Sequence, residues 1–151
     1  MDGVRAFWNG FKLISRGANE ISCPTWFIEK LPKDMKLDGE LWMGRSQFEK
    51  TLSVVNSREN PSWKMIKYVI FDAIILNETY EIRMEQLKKL QLPTFASIIN
   101  TRICLGSDDL MKQLNSIVSE GGEGIVATKP NSFYKAERTR NRLKVKVNLF
   151  F

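Results

Sequence analysis

The chain has 151 residues, of which 43% are hydrophobic and 26% are charged, and this is the composition of a single globular domain that can bury a core of its own. It contains no histidine, which excludes Ser-His-Asp and Cys-His nucleophile systems, HExxH zinc sites and histidine acid–base catalysis. No apolar run approaches the roughly 20 residues that cross a bilayer, so we expect no membrane partner. Catalysis would depend on Lys, Arg, Asp, Glu and a bound metal, which serve phosphoryl and nucleotidyl transfer.

The first part of the chain predicts a hairpin, a third strand and a helix. VRAFW and FKLISR flank Asn9-Gly10, a dipeptide that tolerates the positive φ values of a type I′ turn. LDGELWM at 37–43 predicts a short strand rich in large apolar residues. Ser46 and Glu49 have the spacing of a capping box, which predicts that a helix begins there.

The second part alternates predicted strands and helices. IKYVIFDAIIL at 66–76 predicts a central strand buried on both faces, and TYEIRMEQLKKLQL at 79–92 has helical spacing. TRICL at 101–105 predicts a strand, and Ser107 is expected to cap the helix that follows. The last two strands are expected in GIVATK and RLKVKV, at 124–129 and 142–147. Together these elements predict one α+β domain with twisted, mostly antiparallel sheets and flanking helices.

The net charge of +6 is concentrated at the C-terminal end. From Lys129 onward there are seven basic residues and one acid, Glu137, which accounts for the whole charge. Five of the cations fall on every second position, which would put them on one face of a strand: Arg138, Arg140, Arg142, Lys144 and Lys146. Adjacent cations repel one another unless an anion such as a triphosphate or a nucleic acid backbone covers them. An edge strand that uses charge to prevent aggregation remains the alternative.

Two glutamates beside glycines are candidate metal ligands. Glu40 follows Gly39 and Glu123 precedes Gly124. Hard cations such as Mg²⁺ or Mn²⁺ prefer carboxylate oxygens, and a glycine lets a phosphate come close to the backbone. Each glutamate taken singly would equally suit a turn or a salt bridge.

Six short motifs occur in a fixed order along the chain. They are Asp2-Gly3-Val4-Arg5, Ser15-Arg16, LDGELW at 37–42, YVIFDA at 68–73, EGIVATKP at 123–130 and LKVK at 143–146. In this order they resemble the motifs of the nucleotidyltransferase (adenylation) domain of ATP-dependent DNA ligases, most closely the small viral and mitochondrial or kinetoplast-type enzymes. The resemblance implies an ATP-grasp-like nucleotidyltransferase fold, and it covers essentially the whole chain.

The resemblance also implies the chemistry. In that family a lysine takes AMP from ATP, AMP passes to the 5′-phosphate of a nick, and the 3′-hydroxyl displaces it. Catalytic roles would fall to Asp2, which supports that lysine, and to Lys144 and Lys146, which hold the α-phosphate. The family motif places the nucleophilic lysine immediately before the position of Met1, so we expect the 151-residue polypeptide not to adenylate itself.

The nucleotide and metal contacts follow from the same resemblance. Phe71 would stack on the purine, while Arg5 and Arg16 would contact the ribose and the phosphates. Glu123 would bind the divalent metal, and Glu40 the metal or the ribose.

The expected ligands are ATP, Mg²⁺ or Mn²⁺ and nicked double-stranded DNA, with roles in DNA repair, replication and recombination. We expect residues 1–151 to be a partial adenylation domain without the strand that carries the lysine and without the OB-fold domain. We also expect an intracellular monomer with two free thiols. Three alternatives remain: a non-catalytic module that binds nucleotide or nucleic acid, an unstable remnant, and a related nucleotidyltransferase such as an RNA ligase or an mRNA capping guanylyltransferase.

Overall fold

A computed structural model describes residues 2–146 of the chain. The large sheet contains β1 (Val4–Trp8), β2 (Leu13–Ser15), β3 (Leu37–Trp42), β4 (Lys67–Ala73) and β5 (Ala96–Ile98). A separate small sheet contains β6 (Ile125–Thr128) and β7 (Arg142–Val145). The helices are α1 (Thr25–Glu29), α2 (Phe48–Val55), α3 (Tyr80–Lys88) and α4 (Ser107–Ser119), and a 3-10 helix spans Pro61–Met65.

The order of strands in the large sheet is β2-β1-β3-β4-β5. All neighbouring strands are antiparallel except β4 and β5, which are parallel. The two strands of the small sheet are also antiparallel. The predicted α+β fold with mostly antiparallel sheets and flanking helices is therefore confirmed.

The first hairpin is confirmed, but its predicted type I′ turn is wrong. Trp8 lies opposite Leu13, so the connecting loop has four residues rather than two. Gly10 has a φ of +99°, whereas Asn9 is not among the residues with positive φ. The side-chain oxygen of Asn9 instead accepts hydrogen bonds from two following backbone N–H groups, each at 2.9 Å. This local side-chain contact stabilises a longer loop than the dipeptide alone predicts.

One face of the large sheet forms the core. Alternate residues of β1, β3 and β4 are buried there together with side chains of the helices, and they include Ala6, Trp8, Leu37, Leu41, Tyr68, Ile70, Phe27, Val54 and Trp63. Gly39 is required at the centre, because a Cβ atom there would lie 2.7 Å from the Tyr68 ring. The Tyr68 hydroxyl crosses this gap and donates a hydrogen bond to the Ala6 carbonyl at 3.0 Å. Burial raises the pKa of that hydroxyl.

The strand predicted at 101–105 is wrong. The strand that pairs with β4 is β5, which precedes TRICL in the chain. Ala96 lies opposite Tyr68 and Ile98 lies opposite Ile70. Ile103 and Leu105 are each 82% exposed. Because β5 already pairs with the edge of β4, the apolar TRICL segment follows it as part of the connection to α4.

Two predicted helix caps are also wrong, although both helices are present. Ser46 has a φ of +58°, and α2 begins after Gln47 without a side-chain cap. Ser107 is the first residue of α4, and the capping position is Gly106, with a φ of +130°. Only glycine adopts that value readily, so backbone conformation rather than a hydroxyl starts this helix.

No helix between residues 2 and 146 combines the length and the apolar character needed to cross a membrane.

Candidate functional site

The face of the large sheet opposite the core is polar. It carries three predicted site residues, Arg5, Glu40 and Phe71, together with Asp38 from the same motif as Glu40. Side chains alternate along a strand, so the face opposite the core receives Arg5 from β1 and Glu40 from β3. These two residues lie directly opposite each other in the sheet, as do Phe7 and Asp38. Phe71 lies on β4 at the point where the β3–β4 register shifts.

Arg5 is held by a buried carboxylate. Its guanidinium donates two hydrogen bonds to Asp38, at 3.1 and 2.7 Å, and the Asp38 side chain is fully buried. The hydroxyl of Tyr134 donates a third hydrogen bond to the same carboxylate at 2.9 Å. The hydrogen bonds to Asp38 raise the pKa of Arg5, and burial together with the Asp38 charge raises the pKa of Tyr134. Arg5 is thus fixed in position and always charged.

Phe71 lies between two arginines. The guanidinium carbon of Arg5 is 5.8 Å from the ring centroid and that of Arg142, on β7, is 5.7 Å away. Both distances are within the range of cation–π attraction. Because Arg142 belongs to the small sheet, this contact brings β7 next to Phe71, and the space between the two sheets is called the cleft below.

Glu40 lies at the edge of the cleft, half-buried. Its Oε1 atom accepts a hydrogen bond of 2.7 Å from the backbone N–H of Gly3. A Cβ atom on Gly3 would lie 2.3 Å from the Leu41 carbonyl oxygen, so only glycine allows β1 to approach this closely. Burial raises the pKa of Glu40, while the Gly3 hydrogen bond and the charge of Lys144 act in the opposite direction.

Glu123 and Lys146 form an ion pair at the end of the small sheet where β6 begins and β7 ends. The Lys146 ammonium donates to Glu123 Oε2 at 3.0 Å, and both side chains are about half exposed. The hydrogen bond from Lys146 lowers the pKa of Glu123, and the charge of Lys144 lowers it further. A glycine is required at position 124, directly after Glu123. Its φ is +151°, and a Cβ atom there would lie 2.2 Å from the Val145 carbonyl oxygen.

Lys144 faces the cleft beside Val126, an apolar residue that sequence reasoning missed. Lys144 is directly opposite Val126 in the small sheet and shares its face of β7 with Arg142. Val126 is 53% exposed, and both residues line one shallow pocket with Glu123. Its place two residues after Gly124 in the glutamate motif is the signal that could have identified it.

Several predicted residues are not brought into this cluster. Asp2 and Arg16 are exposed, and neither forms an ion pair within residues 2–146. The stripe of five cations on one strand is wrong, because β7 begins at Arg142. Arg138 and Arg140 are exposed in the connection before it. The connection between β6 and β7 also supplies Tyr134, which sequence reasoning did not single out.

The carboxylates partly fit the predicted metal site. Within the described residues, no three Asp, Glu, His or Cys side chains cluster as a preformed site. Glu40 lies on β3 of the large sheet and Glu123 lies two residues before β6 of the small sheet. The charge of Lys144 acts to lower the pKa of both carboxyl groups. Such a pair suits Mg²⁺, which is commonly held by one or two carboxylates and completes its shell with water and substrate phosphates.

Comparison with known proteins matches the chain to DNA ligases, both by family model and by a single relative. The family model described as the ATP dependent DNA ligase domain matches residues 1–146. A DNA ligase of Haemophilus influenzae is 32% identical over 149 residues, which cover 97% of this chain and 55% of that enzyme.

Solved structures agree with this. A Lig E DNA ligase, studied for DNA binding with a minimal scaffold, has a TM-score of 0.89 at 32% identity and is covered over 59% of its length by 97% of this chain. Chlorella virus DNA ligase-adenylate shares the fold, with a TM-score of 0.79 at 23% identity, and 97% of this chain covers 58% of it. The chain therefore spans somewhat more than half the length of these relatives. Because the family model extends over nearly all of the sequence, the chain belongs to the ATP-dependent DNA ligase domain family of nucleotidyltransferases.

Proposed function

We propose that the chain forms the nucleotide-binding core of an ATP-dependent DNA ligase that seals nicks in double-stranded DNA. The observation that carries the proposal is the set of groups on the two sheets where Arg142 of β7 reaches Phe71. The large sheet carries Phe71 and Glu40, and Glu123 and Lys144 line one pocket of the small sheet. These are an aromatic face, two carboxylates and a cation, the groups needed to hold a nucleoside, a divalent ion and a phosphate.

The purine would bind between Phe71 and Val126. Phe71 is half-buried and Val126 is 53% exposed on the cleft face of the small sheet. An aromatic face on one side and a branched aliphatic side chain on the other would sandwich a planar base and remove both apolar surfaces from water. Arg5 flanks the ring and would turn its charge toward the ribose and the phosphates.

The phosphates would be bound by the lysines of β7 and its end. Lys144 forms no ion pair within residues 2–146, so its ammonium is available for an anion. Lys146 is paired with Glu123 and would exchange that partner for a phosphate oxygen when Glu123 binds a metal. A fixed cation beside a phosphoryl group stabilises the charge that develops during transfer.

Glu40 and Glu123 would hold Mg²⁺ or Mn²⁺. When bound, the ion would supply charge neutralisation at the phosphate oxygens. Glu40 would approach the ion from the large sheet, and Glu123 would approach it from the small sheet.

The last step of sealing is the one that the described residues would support directly. Sealing a nick whose 5′-phosphate already carries AMP needs only positioned cations and a metal.

One assay tests the proposal. Nicked DNA with a pre-formed 5′-adenylate should be joined, and Lys144→Met should abolish joining. Joining that is equally fast without protein would overturn the proposal.

Nucleotide affinity gives an independent measurement. Phe71→Ala should weaken AMP binding in calorimetry about tenfold, because a base stacked on an aromatic side chain gains about 1–3 kcal/mol. Phe11→Ala is the matched control, since Phe11 is 77% exposed on the hairpin loop outside the cleft. Equal effects of the two substitutions would exclude Phe71 as the stacking residue.

A second candidate function is a module that binds nucleic acid without catalysis. Four exposed cations favour it, all in the connection between β6 and β7: Lys129, Lys135, Arg138 and Arg140. Binding to DNA with a steep dependence on salt and no joining of the adenylated nick would support this candidate over the ligase.

A further inference from the structure

A buried ionic cluster lies at the base of the cleft, beside the groups proposed to bind nucleotide. Asp72 on β4 is fully buried, and Arg83 on α3 is 1% exposed. Arg83 donates to both carboxylate oxygens of Asp72, at 2.7 and 3.0 Å. Arg142 on β7 donates to the same carboxylate from the opposite side.

Asp72 and Arg83 each make further hydrogen bonds within the cluster. The Asp72 carboxylate also accepts the backbone N–H of Ala73 at 2.8 Å. Arg83 uses its remaining donor on the carbonyls of Glu78, at 2.7 Å, and Ser132, at 2.8 Å. A buried charge is tolerated only when it is paired and hydrogen-bonded in this way, so the geometry of the cluster is strongly constrained.

The cluster joins the two sheets, which share no strand pairing within residues 2–146. Arg142 belongs to the small sheet and Asp72 to the large sheet, so their contact links the two directly. Ser132 adds a second link from the connection before β7. Displacing Arg142 would remove the link that β7 itself carries while leaving the Asp72–Arg83 pair intact.

Arg142 is two residues before Lys144 on the same face of β7. One such step along a strand is about 6–7 Å, so an anchored Arg142 fixes both the face and the depth at which Lys144 enters the cleft. Lys144 lines one pocket with Glu123, and its charge favours the ionised forms of both Glu40 and Glu123 and so acts to lower the pKa of each. A rotation of β7 about its axis would move the ammonium away from them.

We propose that Arg142, bound to Asp72, is the positioning residue that holds Lys144 in the cleft. Arg142 does so through the strand and without itself binding the phosphates. This inference rests on the proposed function only for the identity of the ligand that Lys144 meets. The coupling of Arg142 to β7 is a property of the protein alone.

Hydrogen exchange tests that coupling without any ligand. In Arg142→Met, the backbone amides of β6 and β7 should exchange about tenfold faster, because a charge-assisted contact that restrains local opening is lost. Amides of β1 and β3 should be unchanged. Arg102→Met is the matched control, since Arg102 makes a bidentate pair with Asp109 at an exposed site, at 2.6 and 2.8 Å.

If Arg142→Met does not fold, Arg142→Lys takes its place, because it keeps the charge but loses the forked geometry, and the same direction is expected. Unchanged exchange in β6 and β7, or equal acceleration in β1 and β3, would overturn the inference.

A double-substitution cycle on AMP affinity tests whether Arg142 acts through Lys144. Arg142→Met should weaken binding about tenfold, and the double variant with Lys144→Met should bind no more weakly than Lys144→Met alone. Additive losses would mean that Arg142 contacts the nucleotide itself, and an unchanged affinity in Arg142→Met would also overturn the inference. If the unsubstituted chain binds no AMP, the proposed function fails, and the exchange measurement alone decides on Arg142.

Discussion

At the scale of single residues, burial determines which charges need partners. Asp38 and Asp72 lie opposite each other on β3 and β4, and both are fully buried. Each is satisfied by an arginine from elsewhere in the chain, Asp38 by Arg5 and Asp72 by Arg83. Leaving either carboxylate unpaired would be costly, so these partners are structural requirements of the cleft.

The two cysteines should differ in reactivity for the same reason. Cys23 is buried and Cys104 is exposed, and both are free. Burial raises the pKa of the Cys23 thiol from 9.0 to about 11, and the thiolate is the reactive form. At pH 8 an alkylating reagent should therefore modify Cys104 in the folded protein and leave Cys23 largely intact, as read by peptide mass spectrometry.

The contribution of Cys23 to the free energy of unfolding depends on pH in one direction. The folded protein holds the Cys23 proton more tightly than the unfolded chain, so the stability from this group is present below pH 9 and is lost as the pH rises through about 11. Alkylation of Cys23 in a Cys104→Ser variant should accelerate over the same range. Equal rates for the two cysteines at pH 8 would contradict the prediction.

At the scale of elements, hydrophobic patterns that extend over a whole segment predict the strand or helix correctly. Short signals, such as the turn dipeptide and the five-residue TRICL run, do not. The apolar run around β4 and the helical spacing of α3 predicted both elements. The Asn9-Gly10 turn failed because the Asn9 side chain formed a competing contact with the backbone. TRICL at 101–105 failed because composition does not tell which segment reaches the free edge of a sheet.

The turn after β2 offers a test of backbone strain. Ala18 has a φ of +62°, a conformation that costs a residue with a Cβ atom about 1–2 kcal/mol. Its N–H donates to the Ser15 carbonyl at 3.0 Å, so the turn itself is well formed. Ala18→Gly should raise the free energy of unfolding by about 0.5–1 kcal/mol, since the relief of strain is partly offset by the entropy of glycine in the unfolded chain.

Urea denaturation would measure this change. Ala136→Gly is a suitable control, because Ala136 is also exposed in a loop but has no positive φ. A loss of stability in Ala18→Gly as large as that in the control would show that the turn is not strained.

At the scale of the whole molecule, the order of the motifs singles out candidate site residues but not the contacts that connect the two sheets. Of these candidates, Glu40 and Phe71 lie on the large sheet, whereas Glu123 and Lys144 lie at the small sheet. The Tyr134 contact with Asp38 joins residues 96 positions apart. Such contacts depend on how the chain folds back on itself and leave no local pattern, which is why sequence reasoning missed them.

The same reasoning predicts that two ion pairs of nearly equal length differ greatly in their effect on stability. Arg83 and Asp72 are 2.7 Å apart and almost fully buried, whereas Lys12 and Glu20 are 2.8 Å apart and at least half exposed. Arg83→Ala should lower the free energy of unfolding by about 3–5 kcal/mol, because it leaves a buried carboxylate with too few partners. Lys12→Ala should lower it by less than about 1 kcal/mol, because water replaces an exposed partner.

Since a domain of this size is stable by only about 5–15 kcal/mol, the first loss should be visible as a large shift in the urea midpoint. Comparable shifts for the two variants would mean that the Asp72 cluster does not stabilise the joined sheets. Its role would then be confined to placing β7, which hydrogen exchange in Arg142→Met would still detect.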